Sequence, residues 1–151
     1  MRVDFYQLSQ ATVEQALPAL AAKACEAGAR MLVVSGEDAQ LARVSDALWA
    51  VKDNFLAHGL AGSPHDARQP ILLSDCLEAP NEARFLALAD GKWRDGAETF
   101  DRVFLLFDNS VIDDARATWR ALNGRDGLEQ HYWRQTASGK WELAHSVTPP
   151  A

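Results

Sequence analysis

Arg102-Val103-Phe104-Leu105-Leu106-Phe107, followed by Asp108-Asn109-Ser110 and then by residues 111–122, is the stretch on which the fold turns. Five consecutive apolar residues leave this strand-length run no polar face. It has to be covered on both sides, as happens in a parallel sheet held between helices. The Asp-Asn-Ser triplet can cap a helix. Ile112, Ala115, Trp119 and Leu122 then recur at i, i+3, i+7 and i+10, a core-facing stripe, and Gly124 and Gly127 predict its end.

The same strand-then-helix rhythm extends outward in both directions. Val3-Asp4-Phe5-Tyr6-Gln7-Leu8 alternates well enough for a first strand, and Thr12 with Gln15 forms a capping-box signature. The helix it opens is expected to reach about Glu26 and stop at Gly28, with a kink at Pro18. Residues 30–34 read as a buried parallel strand. A second helix is expected over Asp38–Ala50, with Leu41, Val44, Leu48 and Trp49 toward one face. Lys52 to Pro70 reads as a long loop, residues 71–73 and 84–88 as short strands, and 128–135 with 140–143 as a terminal hairpin around Ser138-Gly139. Strands alternating with helices predict a three-layer α/β domain with a mostly parallel central sheet and a C-terminal hairpin. One domain is expected over residues 1–147, with 148–151 as a flexible tail.

Composition narrows the function classes. The 151 residues are 48% hydrophobic and 24% charged, ordinary proportions for a globular protein. No apolar run nears the roughly 18 residues of a membrane span. The N-terminus meets Asp4 before any apolar core, unlike a secretion signal, and Cys25 and Cys76 show no Cys-x-x-Cys spacing, so a cytoplasmic setting is expected. The net charge of −6 argues against direct nucleic-acid binding. That charge is uneven. Residues 1–114 carry ten Lys/Arg against eighteen Asp/Glu, net −8, whereas residues 115–151 carry five against three, net +2. An acidic body with one small basic spot suits a short acidic peptide better than a DNA backbone.

A phosphate-gripping turn needs glycine, but the first strand-to-helix turn is Ser9-Gln10-Ala11, and Ser35-Gly36-Glu37-Asp38 adds two acids. The architecture is therefore expected to be Rossmann-like without a phosphate-binding loop. Asp108 could be a catalytic carboxylate at a strand end or only a helix cap. His58, His65, His131 and His145 match no usual metal-ligand spacing, and the cysteines read as core or near-core packing, so neither metal nor cofactor is expected. Arg116 and Arg120 stand one turn apart beside Trp119. They either clamp a carboxylate next to an apolar surface or merely complement the helix dipole over a core tryptophan. Phe55, in a polar loop beyond Trp49, is either a partner contact or a loop anchor.

Taken in order, Phe5-Tyr6-x-Leu8, Leu48-Trp49, Phe55-x-x-His58-x-x-Ala61-Gly62 and Ala115-Arg116-x-x-Trp119-Arg120 resemble the chi subunit of bacterial DNA polymerase III, over nearly the whole length to about Trp141. Family members commonly carry Pro in the loop motif where this chain has Ala57. The resemblance implies an accessory subunit without enzymatic activity, an adaptor in the clamp-loader assembly. It implies that Arg116, Trp119 and Arg120 bind the acidic, Phe-ending tail of single-stranded DNA-binding protein. It also implies that Trp49 and Phe55 lie toward the psi subunit or another loader component, a helicase being a further possible contact. The competing class is a small α/β enzyme or nucleotide-binding protein using the strand C-termini near Asp108. An enzyme would carry a polar pocket at those strand ends. An adaptor is expected to lack one there and to show a shallow basic-aromatic groove on the last helix.

Overall fold

The computed structural model describes residues 1–52 and 55–147, so the expected tail at 148–151 lies outside the described residues, as do Asp53 and Asn54 of the Phe55 loop. In chain order the elements are β1 (Arg2–Gln7), α1 (Val13–Glu26), β2 (Met31–Val34), α2 (Asp38–Trp49), β3 (His58–Leu60), β4 (Ile71–Ser74), β5 (Phe85–Leu88), β6 (Arg102–Phe107), α3 (Ile112–Leu122), β7 (Glu129–Gln135) and β8 (Trp141–Val147). The strands form one eight-stranded sheet in the order β3-β4-β2-β5-β6-β1-β7-β8. Every neighbouring pair is parallel except the β7–β8 hairpin.

The unbroken apolar run of β6 is explained by its two-sided burial. Val103, Leu105 and Phe107 join the core beneath α3 with Val3 and Phe5, while Phe104 and Leu106 join the core beneath α1 and α2 with Tyr6 and Leu8. These two cores, one on each face of the sheet, make the three layers. Asp4 is the polar exception on β1. Fully buried, it accepts hydrogen bonds from Arg2 Nε at 3.2 Å, Arg102 Nε at 2.8 Å and Trp133 Nε1 at 3.0 Å, tying β1 to β6 and β7.

The capping box forms as expected: Gln15 N–H donates to Thr12 Oγ1 at 3.2 Å and Thr12 N–H to Gln15 Oε1 at 2.9 Å. Helix α1 continues through Pro18. Gly28 takes φ +75°, the left-handed geometry that ends a helix. Four expectations need correction. The 52–70 loop contains the edge strand β3, paired with β4. Gly59 pairs with Leu72, and the Gln69 side chain covers its Cα. Residues 109–111 form a 3₁₀ turn ahead of α3. The second hairpin arm runs to Val147, well past Leu143. Trp49 does not share the buried face of Leu41, Val44 and Leu48; it is 57% exposed, because one residue past Leu48 the helix has turned by roughly 100° away from that face.

Candidate functional site

Helix α3 starts where Asp108 accepts a hydrogen bond from Ser110 N–H at 2.9 Å, with Asp113 and Asp114 in its positive first turn and Arg120 in its last. Ala115 and Leu122 are buried, and Trp119 is half-buried. The indole packs edge-on against Phe5 (centroids 5.1 Å, 77°) and Tyr132 (5.7 Å, 82°). It is therefore anchored in the core without being sealed inside it. Gln130 Nε2 donates to Trp119 O at 3.2 Å, holding α3 against β7.

Above that aromatic floor is a cavity of about 240 Å³ lined by Arg116, Trp119, Arg120, Tyr132, Arg134 and His145. The helix brings the first three together, as the sequence predicted. The hairpin brings the rest, which sequence reasoning missed. Tyr132 pairs directly with His145 across β7 and β8, and Arg134 follows two residues along the same face of β7. Among the described residues, Arg116, Arg120 and Arg134 form no ion pair, and all three are exposed. Tyr132 donates to Gln7 Oε1 at 2.6 Å. Burial pushes its phenol pKa up, while the charges of Arg116 and Arg134 pull the other way, so both guanidiniums face this ring. Three unneutralised cations around an apolar floor can bind a carboxylate and a bulky side chain together. The volume suits one or two side chains, being below the ~300 Å³ at which small-molecule pockets begin.

Trp49 and Phe55 come together at the other end of the sheet, with centroids 5.6 Å apart. Phe55 is 76% exposed, and Leu56, not Phe55, anchors the loop in the core. Exposed Leu60 on β3 extends this end's apolar surface; its only sequence signal was an isolated Leu in a polar loop. His58 packs 4.5 Å from the Trp49 ring, held by Ser45 Oγ and Leu56 O, each at 2.8 Å. Six strand spacings separate β3 from β7, so the two surfaces lie roughly 30 Å apart.

The strand C-termini are not featureless, contrary to what an adaptor was expected to show. A cleft of about 980 Å³ opens there, lined in part by Glu37, Asp90, Lys92 and Asp108. Its polar groups are largely committed to the fold. Asp90 binds Arg94 at 2.7 Å and Gly36 N–H at 3.0 Å, which hold its pKa below the usual range against the opposing effect of burial. Asp108 caps the 3₁₀ turn. At the first strand-to-helix turn, Gln135 Oε1 accepts from Ser9, Gln10 and Ala11 N–H at 3.1, 2.8 and 3.1 Å, filling the backbone nest a phosphate would need. Cys76 is exposed instead of packing near the core, because it follows β4 onto the surface beside Ser74. No cluster of three His, Cys, Asp or Glu residues suited to a metal occurs among the described residues.

Comparison with known proteins gives one family. Residues 1–129 match the family model described as DNA polymerase III chi subunit, HolC. The match includes Trp49, Phe55, Arg116, Trp119 and Arg120; Arg134 and His145 lie beyond it. No curated protein matches the chain.

Proposed function

Since the chain belongs to the DNA polymerase III chi subunit family, HolC, we propose that it is a non-catalytic adaptor whose α3–hairpin groove holds the acidic C-terminal tail of single-stranded DNA-binding protein. The terminal carboxylate and neighbouring aspartates pair with Arg116, Arg120 and Arg134. The apolar end of the tail rests on Trp119 and Tyr132. Trp49 and Phe55, at the opposite end of the sheet, contact psi or another clamp-loader component. That separation lets both partners be held at once, which is what a linking subunit requires.

One observation carries this reading: three guanidiniums with no ion-pair partner among the described residues surround an aromatic floor in a protein of net charge −6. Charge-assisted hydrogen bonds contribute about 1.5–3 kcal/mol each where water is excluded. The acidic body discourages naked DNA, so the protein would respond to strands already coated. The enzyme reading rests on the cleft volume at the strand ends. It is weaker, because Gln135 occupies the phosphate position and Asp108 acts as a cap.

Calorimetry with an acidic, Phe-terminated peptide tests the assignment. Arg120→Ala is expected to weaken binding at least several-fold with an unchanged circular-dichroism spectrum. Equal affinity for both proteins would remove the groove as the tail site.

A further inference from the structure

Strand alternation sends Phe5 and Tyr132 to the α3 face, and it sends their chain neighbours Tyr6 and Trp133 to the α1 face. There a second aromatic cavity, about 220 Å³, lies between the flank of α1 and the hairpin. Tyr6 stacks on Trp133 (6.3 Å, 10°) and meets Trp141 edge-on (5.0 Å, 81°). Ala16, Ala19 and Leu20 form the opposite wall. The aromatic wall is fixed, since Trp133 Nε1 is bonded to the buried Asp4. Trp141 makes no side-chain hydrogen bond among the described residues, and beyond it Leu143 is 46% exposed.

The rim is positive. Of the two cations that line it, Arg102 is ion-paired with Asp4, and Lys23 is exposed and has no ion-pair partner among the described residues. The Tyr6 phenol stays neutral, its pKa pushed up to about 12 chiefly by burial, so it adds no negative charge. An apolar slot one side chain wide with a cationic rim is therefore present in an otherwise acidic protein.

We propose that this slot is a second peptide-docking site, for an internal acidic segment that inserts one bulky apolar side chain between Trp141 and Leu20 and sets a flanking carboxylate against Lys23. An internal segment fits better than a chain end. The free charge here is one ammonium, with no set of guanidiniums to clamp a terminal carboxylate. Charge complementarity selects a protein over a nucleic acid, since a phosphate backbone passing the slot would also meet the acidic surface of the chain.

The test uses the full chain with ¹⁵N-labelled tryptophan and a short peptide of aspartates around one phenylalanine, blocked at both ends so that it offers no terminal carboxylate. Indole N–H signals are assigned from single Trp→Phe variants. Titration is expected to move the Trp133 and Trp141 signals saturably and to leave Trp119 in place. Lys23→Glu, an exposed change, is expected to weaken the peptide roughly fivefold or more, as reversal of a rim charge does. Three results would each overturn the proposal: movement confined to Trp119, no saturable movement, or unchanged affinity in Lys23→Glu. So would movement of the same two indoles by oligothymidylate but not by the peptide, which would make the slot a base-stacking site.

Discussion

Arg134 is the sharpest test of the groove, because no local spacing points to it and it lies outside the stretch matched to the family. Its guanidinium is exposed and has no ion-pair partner among the described residues, so Arg134→Ala is expected to change folding stability by no more than about 0.5 kcal/mol. The loss should appear in binding. A carboxylate about 4 Å away in a half-open cavity falls between the aqueous value of about 1 kcal/mol and the near-surface value of about 4. A loss of about 1–2 kcal/mol, or roughly 5- to 30-fold in affinity, follows. Calorimetry with the acidic, Phe-terminated peptide measures it directly. Repetition at about 1 M salt, where the screening length falls to roughly 3 Å, should erase most of the difference. A second readout is internal to the protein. Arg134 holds the Tyr132 pKa down against burial, so its removal should move that phenol's titration further up. Unchanged affinity at low salt, or a loss that persists undiminished at high salt, would refute the electrostatic account of the groove.

Other consequences concern the scaffold. Gly91 has φ +72°, and a Cβ there would lie 2.9 Å from Val111 Cγ2 and 3.0 Å from Phe107 Cβ; Gly91→Ala should cost about 2–3 kcal/mol in urea denaturation. Gly124→Ala has open space around the new methyl and bears only the left-handed backbone cost, about 1 kcal/mol. Because Tyr6 is raised from 10.0 to about 12, its contribution is complete below pH 10 and is lost as pH rises to 12, about 3 kcal/mol in all. Alkaline denaturation of Tyr6→Phe should lack that part of the decline. Gln135→Leu strips three backbone N–H groups of their shared acceptor; because the turn is largely exposed and water can replace it, the expected cost is about 1–2 kcal/mol by thermal melting.

The parts of the fold legible in the sequence are those set by local chemistry or by total burial. The run at 103–107 could not be solvated on either face, and the Thr12–Gln15 box is a four-residue device, so both appear as read. Strand β3 was hidden because three residues with a central glycine carry no strand pattern; they extend only because β4 is there to pair with them. Trp49 leaves the buried stripe because it stands one residue past Leu48, roughly 100° further round the helix and off the face that carries Leu41, Val44 and Leu48. Half of the groove was likewise invisible. Arg116, Trp119 and Arg120 share one helix, but Arg134 and His145 reach them through β1–β7 pairing and the hairpin register, contacts that no local spacing encodes.

That register carries more than fold. Phe5 pairs with Tyr132 and Tyr6 with Trp133, so the two strands hand alternate aromatic pairs to opposite faces. One face receives α3 and its arginines, the other the flank of α1 with Lys23. Slipping β7 by a single residue would exchange the pairs and bury Arg134 under α1. Asp4, bonded to Arg2, Arg102 and Trp133 across three strands, opposes such a slip because its acceptors would lose the indole donor that only the present register supplies. The buried carboxylate thus ties the position of the hairpin, and with it the charge placed beside Trp119, to the centre of the sheet.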